Sequence, residues 1–231
     1  MGCGIVRPVV INLLDMGTVG MKVLNLYAGL GGNRRKWGDD VEVTAVEYRP
    51  DIASFYQDQH PQDLVIIGDA HQYLLDHYKE FDFIWCSTPC PTHSRARYWA
   101  SSGDTAIVAP IYPDMALYQE ILFLKHYFKG NWVVENVKPY YEPLIQPTAT
   151  LGRHLFWSNF IIPKFHAIDA DIKNGTRGEW EALHGISLEG YKFQDRTDKL
   201  LRNCVHPDLG LHVFESAKTA DPLTVDQLSL L

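Results

Sequence analysis

The sequence predicts an α/β fold with a mostly parallel sheet and helices on both faces. Short apolar runs alternate with amphipathic stretches along most of the 231 residues, the pattern of strands that are separated by helices. The chain is 46% hydrophobic, which at this length is enough to build one complete core. Strands connected through helices pair in parallel and become buried on both faces.

Each element follows from the apolar pattern of its own segment. Residues 52–60 are predicted to be helical, as are residues 115–128, where apolar side chains recur every three or four positions. Helical character returns over residues 197–219 and is broken near Pro207. The six predicted strands are MKVLNLYA (21–28), VEVTAVEY (41–48), DLVIIGDA (63–70), FDFIWCS (81–87), NWVVENV (131–137) and HLFWSNFII (154–162).

The domain boundaries follow from where this alternation begins and weakens. Residues 1–20 precede the first strand and are predicted to be an N-terminal extension outside the fold. Residues 21–162 form the main domain, and the periodicity weakens over residues 163–196, which are predicted to be a small insert. Residues 197–231 then complete the domain as a C-terminal helical segment.

Composition narrows the cellular context. No apolar run reaches the roughly 18 to 20 residues that a membrane helix needs, and the N-terminus carries no clear secretory signal. Four cysteines without a CxxC pair are typical of a reducing compartment, so we predict a cytoplasmic protein with no membrane partner. The cysteines and histidines lack zinc spacing, and no metal site is predicted.

The net charge of −7 averages over all faces and does not exclude a local site for a polyanion. Basic residues stand beside aromatic ones in two segments, NRRKW (33–37) and SRARYW (94–99). Both are candidates for contact with nucleic acid, although solvated loops would explain the first equally well.

Glycine, acidic and thiol residues stand where the predicted strands end. Ligands of parallel α/β sheets bind beyond the carboxyl ends of the strands. These residues are therefore expected to surround one crevice: the turn at 29–32, Glu47, Asp69, Cys90 and Glu135.

The glycine turn, Glu47 and Asp69 together predict an adenosine-containing cofactor. Glycines after the first strand let the backbone approach a ligand closely, although Arg34 replaces the third glycine of a dinucleotide fingerprint. Glu47 is placed to accept hydrogen bonds from two ribose hydroxyls, and Asp69 from an adenine amino group.

Cys90 is the candidate nucleophile. Pro89 stiffens the turn behind it, and positive charge from Arg95, Arg97 and His93 is expected to favour the thiolate below the usual pKa of about 8.5. Cys86, inside the preceding strand, is expected to be a buried core residue.

Glu135 is the candidate acid. Valines flank it in VVENV, at the end of a strand expected to be central. An apolar environment favours the neutral form of a carboxyl group, which can then donate a proton.

These motifs, in this order, resemble those of the cytosine-C5 DNA methyltransferases, which use S-adenosylmethionine (SAM). The resemblance covers most of residues 21–162 and 200–217. It implies a Rossmann-like SAM-dependent methyltransferase fold, in which residues 21–162 are the SAM-binding catalytic domain. Residues 163–196 then correspond to the target recognition region, which is much shorter than is usual in the family.

The resemblance also implies the SAM-binding residues. The family's aromatic-x-Gly-x-Gly turn matches the segment that begins at Tyr27, and its last motif, Asn-x-Val-x-Pro, begins here at Asn203. The residues implied to bind SAM are Tyr27, Ala28, Gly29, Leu30, Gly31, Gly32, Glu47, Tyr48, Asp69, Ala70 and Asn203.

Three catalytic residues are implied in the same way. The family's Pro-Pro-Cys-Gln loop matches residues 88–91, where Thr88 and Pro91 depart from it, and Glu-Asn-Val is intact at residues 135–137. The family's Gln-x-Arg-x-Arg motif is reduced to Arg153. Cys90 is thus expected to add to C6 of cytosine, Glu135 to act at N3 and Arg153 at the O2 side.

The implied partner is double-stranded DNA, bound by a monomer with its target cytosine flipped out of the helix. Ser94, Arg95 and Arg97 are expected to hold the displaced backbone. A recognition segment of about 35 residues predicts a short or relaxed target sequence. Two alternatives remain open: an RNA substrate such as tRNA, and a catalytically inactive nucleic-acid-binding relative.

Overall fold

The computed structural model describes residues 20–103, 106–165 and 175–223 as one sheet with surrounding helices. Two single-turn 3-10 helices, Arg34–Lys36 and Tyr78–Glu80, lie outside the main elements. The strands are β1 (Met21–Leu26), β2 (Val41–Glu47), β3 (Leu64–Ile67), β4 (Phe83–Ser87), β5 (Asn131–Val137), β6 (Ala149–Leu151) and β7 (His154–Ser158). The helices are α1 (Pro50–Gln59), α2 (Ala70–His77), α3 (Arg95–Ser101), α4 (Ala116–Tyr127), α5 (Arg177–His184), α6 (Thr197–Asn203) and α7 (Pro207–Lys218).

The seven strands form a single sheet in the order β3-β2-β1-β4-β5-β7-β6. Strands β1 to β5 pair in parallel, whereas β7 is antiparallel to both β5 and β6. The predicted fold class, a Rossmann-like and mostly parallel α/β sheet, is confirmed.

Successive residues of the central strands explain why helices cover both faces. On β1, Val23 belongs to the apolar cluster on one face and Leu24 to the cluster on the other, and both are fully buried. The Val23 face packs against α7 through Phe214, and the Leu24 face packs against α4 through Ile121 and Leu124. Strands buried on both faces are apolar at nearly consecutive positions, as the sequence pattern indicated.

Predicted and observed boundaries differ where a turn or cap intervenes. The predicted strand 131–137 coincides with β5, but β1 ends at Leu26 because Tyr27 has a left-handed backbone, with φ 55°. The predicted strand 63–70 is longer than β3, because Asp69 caps α2 by accepting bonds from two backbone N–H groups. The prediction missed α2, α3, α5 and β6.

The described part of the predicted insert packs onto the main domain. Trp180 of α5 and Leu188 are buried in one cluster with Leu30, Phe55 and Leu201. The rest of the predicted insert at 166–174 and the predicted extension at 1–19 lie outside the described residues, as do 104–105 and 224–231. Among the helices that the structure describes, none is both long and apolar enough to cross a membrane.

Candidate active site

A cavity of about 480 Å³ opens at the carboxyl ends of the central strands. Residues from five predicted strand ends line it, as the sequence led us to expect: Gly29, Glu47, Asp69, Cys90 and Glu135. The cavity also receives Tyr27, Ala28, Leu30, Gly32, Tyr48, Ala70 and Asn203 of the implied SAM-binding set. Gly31, Arg153, Ser94, Arg95 and Arg97 do not line it.

Close packing around the glycine turn leaves no room for side chains at two of its positions. Gly31 has φ 76°, and a Cβ there would lie 2.8 Å from Nε2 of His60. A Cβ on Gly32 would lie 2.3 Å from both Sγ of Cys204 and the carbonyl oxygen of Val205. Glycine is therefore required at both positions, and Gly32 allows the segment after α6 to close one side of the cavity.

Glu47 is held at the end of β2 by two backbone groups. Its Oε2 accepts from the Gly29 N–H at 2.9 Å, and its Oε1 accepts from the Arg49 N–H at 3.0 Å. Burial raises the pKa of Glu47, and these hydrogen bonds oppose the rise. The carboxyl group of Glu47 is thus fixed against the glycine turn, at the wall of the cavity.

Asp69 and Tyr48 border the cavity at its outer side. Oδ1 of Asp69 accepts from the backbone N–H groups of His71 and Gln72, at 2.9 and 3.2 Å. Tyr48 is 75% exposed and presents an aromatic ring at the cavity wall. Both positions are compatible with the adenosine contacts that the sequence predicts.

A buried polar cluster behind the cavity was not predicted. Glu120 of α4 is fully buried and accepts hydrogen bonds from the Tyr27 hydroxyl and the Cys86 thiol. His71 Nδ1 lies 3.5 Å from the Glu120 carboxyl group. Burial raises the pKa values of Glu120, Tyr27 and Cys86, and the charge of Glu120 adds to the rise for Tyr27 and Cys86. Cys86 is a buried core residue as predicted, and its thiol in addition donates a hydrogen bond to Glu120.

Cys90 is held in the loop that follows β4. Its Sγ lies 3.6 Å from Oδ1 of Asn203, which brings the predicted nucleophile against the end of α6. Asn136, next to Glu135 on β5, donates to the carbonyl and hydroxyl oxygens of Thr88 at 3.0 and 2.9 Å. The Glu-Asn-Val motif therefore anchors the loop that carries Cys90.

The expected source of positive charge near Cys90 was wrong. Burial and the charge of Glu135 raise the pKa of Cys90 to about 11, and the cations that oppose this rise are Arg153 and Lys199. His93 is buried and bonded to the Tyr141 hydroxyl at 2.6 Å, and Arg95 donates to the carbonyl of Pro139. The free chain therefore holds Cys90 mainly as the thiol at neutral pH.

Glu135 has a partner that the sequence did not reveal. His154 Nδ1 lies 2.6 Å from Oε1 of Glu135, and both side chains are buried. The contact depends on the antiparallel pairing of β5 with β7, which puts His154 two positions from Phe156, the residue opposite Glu135. A sequence pattern that predicted only parallel pairing could not find it.

Arg153 approaches this region from outside the cavity. Its guanidinium donates to the carbonyl oxygen of Arg202, and its charge acts on the pKa of Cys90. Its contact with the O2 side of a cytosine therefore stays a prediction.

The predicted nucleic-acid contacts lie beside the cavity, along α3. Ser94 caps this helix by accepting from the Arg97 N–H at 3.2 Å, and Arg97 donates to the carbonyl of Ala109. The other basic segment, 33–37, is largely structural. Arg34 forms a buried ion pair with Asp63 at 3.0 Å, and Trp37 is a core residue.

The segment at the start of α6 contributes cavity residues that the sequence did not predict. Asp195 and Lys199 line the cavity, and Asp195 pairs with Arg49, which also lines it. Arg49 is in addition paired with Asp51 of α1. The weak periodicity of this segment gave no signal for these ion pairs.

Comparison with known proteins agrees with the motifs. Residues 21–116 match the family model of the C-5 cytosine-specific DNA methylases, and the resemblance that the motifs indicated is confirmed over these residues. A search of the curated proteins returned no significant match.

Solved structures that are similar include three methyltransferases. A SAM-dependent methyltransferase from Agrobacterium tumefaciens shares 14% identity over 53% of this chain and 40% of its own, with a TM-score of 0.37. A mutant of DNMT2 from Spodoptera frugiperda shares 26% over 52% of this chain and 36% of its own, with a TM-score of 0.36. A putative DNA modification methyltransferase of an Escherichia coli prophage shares 16% over 53% and 34%, with a TM-score of 0.35. The chain thus spans well under half the length of each, and at these TM-scores none of them supports an inference about its substrate.

Proposed function

We propose that this protein transfers a methyl group from SAM to C5 of cytosine in DNA, with Cys90 as the covalent nucleophile. One observation carries the proposal. The thiol of Cys90 and the carboxyl group of Glu135 line the same cavity as the glycine turn and Glu47. A nucleophile, an acid and the elements of a nucleoside site therefore share one enclosed space.

The cavity suits SAM in size and chemistry. Its volume of about 480 Å³ falls within the range of about 300 to 1,000 Å³ that is common for small-molecule sites. Leu30 and Ile52 supply apolar walls, while Glu47 and Asp69 supply acceptors for ribose hydroxyls and an adenine amino group. When bound, SAM supplies an electrophilic methyl group.

Cys90 activates the substrate ring. Its thiol loses its proton to solvent, and the sulfur forms a bond to C6 of cytosine, which moves an electron pair towards C5. The charges of Arg153 and Lys199 favour the thiolate and oppose the effects of burial and of Glu135. C5 of the free base is a weak nucleophile, and this addition makes it enamine-like.

Glu135 balances the charge that develops on the ring. Its carboxyl group takes up a proton from solvent when cytosine binds and gives this proton to N3 as the sulfur adds to C6. The hydrogen bond from His154 to Oε1 of Glu135 fixes the orientation of the carboxyl group. After C5 is methylated, its proton is lost to solvent, the C5–C6 double bond reforms and the thiolate of Cys90 leaves. N3 then returns its proton to Glu135.

A base in a duplex cannot enter this cavity while it is stacked, so the target nucleotide must leave the helix. Ser94, Arg95 and Arg97 lie at the start of α3, the helix that follows the Cys90 loop, and would hold the displaced backbone through its phosphates. Residues 163–196 would act as the small target recognition region.

Nucleoside analysis tests the reaction. The full chain is incubated with SAM and, in separate samples, with unmethylated duplex DNA and unmodified tRNA, and the digested nucleosides are identified by mass spectrometry. We expect 5-methyldeoxycytidine from the DNA. If only the tRNA sample gave product, as 5-methylcytidine, the substrate would be RNA and not DNA. If neither sample gave product although the chain binds SAM, the proposed reaction would be overturned.

Two variants test the assigned roles. Cys90→Ala is expected to abolish product while SAM still binds, and Glu135→Gln to slow turnover by about 10²- to 10⁴-fold. Turnover by Cys90→Ala at a rate near that of the unmodified protein would refute the covalent step.

A further inference from the structure

An exposed aromatic surface lies next to the loop that carries Cys90. Tyr98 is 45% exposed, Trp99 is 69% exposed and Tyr112 is 94% exposed. We call these three residues the aromatic platform. Isolated exposed apolar residues are common, but three large exposed rings within 15 residues of sequence need an explanation.

Backbone hydrogen bonds connect this surface to the nucleophile. The carbonyl of Cys90 accepts from the N–H groups of His93 and Ser94, at 3.0 and 3.1 Å. The carbonyl of Ser94 accepts in turn from the Tyr98 N–H at 3.1 Å. The backbone of Tyr98 is therefore fixed relative to that of Cys90.

Tyr98 is already half of an aromatic stack. Its ring lies 4.5 Å from that of Tyr140, with 6° between the planes, and the Tyr140 N–H donates to the carbonyl of His93. A cavity of about 140 Å³ adjoins the pair and is bounded on its far side by Pro110 and Ile111. A flat aromatic ligand would extend such a stack.

The charge near this surface favours an anionic ligand. Arg95 is exposed, and Arg97 borders the small cavity. The Nε of Arg97 is buried and has no hydrogen-bond partner within the described residues. The guanidinium groups can bind phosphates and the rings can stack on bases, which is the combination found in single-strand sites. This local positive charge stands out in a molecule of net charge −7.

We propose that the aromatic platform binds unpaired nucleotides that flank the target cytosine, by stacking their bases on Tyr98 and Trp99. This proposal rests on the proposed function and adds that the nucleotides beside the target cytosine are unpaired when bound, in a single strand, a loop or a locally opened duplex. In an intact duplex, the flanking bases stack on each other and their faces are not available to protein rings.

The fluorescence of Trp99 can report directly on base stacking at the aromatic platform. The chain has six tryptophans, and the other five are buried: Trp37, Trp85, Trp132, Trp157 and Trp180. A base that stacks on Trp99 would quench its fluorescence without reaching the others. The full chain is titrated with three oligonucleotides of one cytosine-containing sequence: single-stranded DNA, blunt duplex DNA and single-stranded RNA.

We expect a single strand to quench the fluorescence and to bind at least about fivefold more tightly than the duplex. Trp99→Ala and Tyr98→Ala should each weaken single-strand binding by about 5- to 150-fold, the equivalent of one lost stacking contact. Trp99→Phe should retain most of the affinity, because a phenyl ring still stacks. The two single strands show whether DNA or RNA is the source of the unpaired bases.

Tyr127→Ala provides the matched control. Tyr127 is a 61% exposed tyrosine at the last residue of α4. It precedes β5 and so lies towards the amino ends of the parallel strands, whereas Cys90 follows the carboxyl end of β4. Its removal should leave the Kd unchanged. Equal affinity of Trp99→Ala and the unmodified chain for single strands, or tighter binding of the duplex, would overturn the proposal. Binding is read without turnover, so these outcomes are separate from a failure to methylate cytosine.

Discussion

At the scale of single residues, the partners of each acidic or thiol side chain decide what it can do. Glu135 has His154, Glu47 has two backbone N–H groups and Cys90 has Asn203. The partners of the two carboxyl groups fix where each one points. Cys90 differs, because burial and the nearby Glu135 raise its pKa and keep it protonated at neutral pH.

The raised pKa of Cys90 predicts how fast it reacts with an alkylating agent. Only the thiolate reacts, so between pH 7 and pH 9 the rate of modification by iodoacetamide should rise about tenfold per pH unit, towards a midpoint at about 11. Lys199→Gln should lower the rate at a fixed pH, because it removes a charge that lowers this pKa. Cys90→Ser identifies the labelled site by peptide mass spectrometry. A rate independent of pH over this interval would mean that the thiolate is already formed.

The buried carboxyl group of Glu120 predicts a stability effect at Tyr27. Tyr27→Phe removes the hydroxyl that donates to Glu120 and leaves one acceptor of a fully buried group without that donor. The free energy of unfolding in urea should fall by about 1 to 3 kcal/mol. Tyr127→Phe, at an exposed position, should leave it unchanged. If the two variants were equally stable, the Tyr27 hydroxyl would have no structural role.

At the scale of elements, the glycine turn and the segment between α6 and α7 depend on each other. Val205 and Cys204 approach Gly32 so closely that no side chain fits between them. This contact brings Asn203, the last residue of α6, against Cys90. The glycine turn and the Cys90 loop, which line the same cavity, are therefore connected through the contacts of Gly32.

Two glycine substitutions test this connection. In Gly32→Ala, the new methyl group would meet Sγ of Cys204 and the Val205 carbonyl at 2.3 Å, so the free energy of unfolding should fall by about 1 to 3 kcal/mol and SAM should bind more weakly. Gly178 lies in α5, where an added Cβ meets nothing within 4 Å. Gly178→Ala should leave SAM binding intact and raise the free energy of unfolding by about 0.4 to 1 kcal/mol. Urea unfolding and isothermal titration would separate the two, and normal SAM binding by Gly32→Ala would contradict the proposed role of this contact.

At the scale of the whole molecule, the sequence predicted the sheet better than the connections around it. Apolar runs defined the strands, and the rule that ligands bind at strand ends brought five residues to one cavity. The sequence could not predict the Glu135–His154 contact, which requires the antiparallel strand β7, or the cations that act on Cys90. The helix α5 was missed although Thr176 and Glu179 form a capping box, because the apolar periodicity around it is weak.

A covalent trap tests the central claim, that Cys90 adds to cytosine in this cavity. In an oligonucleotide with 5-fluorodeoxycytidine at the target, the methylated C5 carries fluorine and has no proton to lose, so the bond between sulfur and C6 cannot break by the normal route. In the presence of SAM, we predict a complex that survives denaturation, with the oligonucleotide attached to the peptide that contains Cys90, and no complex with Cys90→Ala. Attachment at another residue, or methylation of an ordinary cytosine without any trapped complex, would contradict the mechanism.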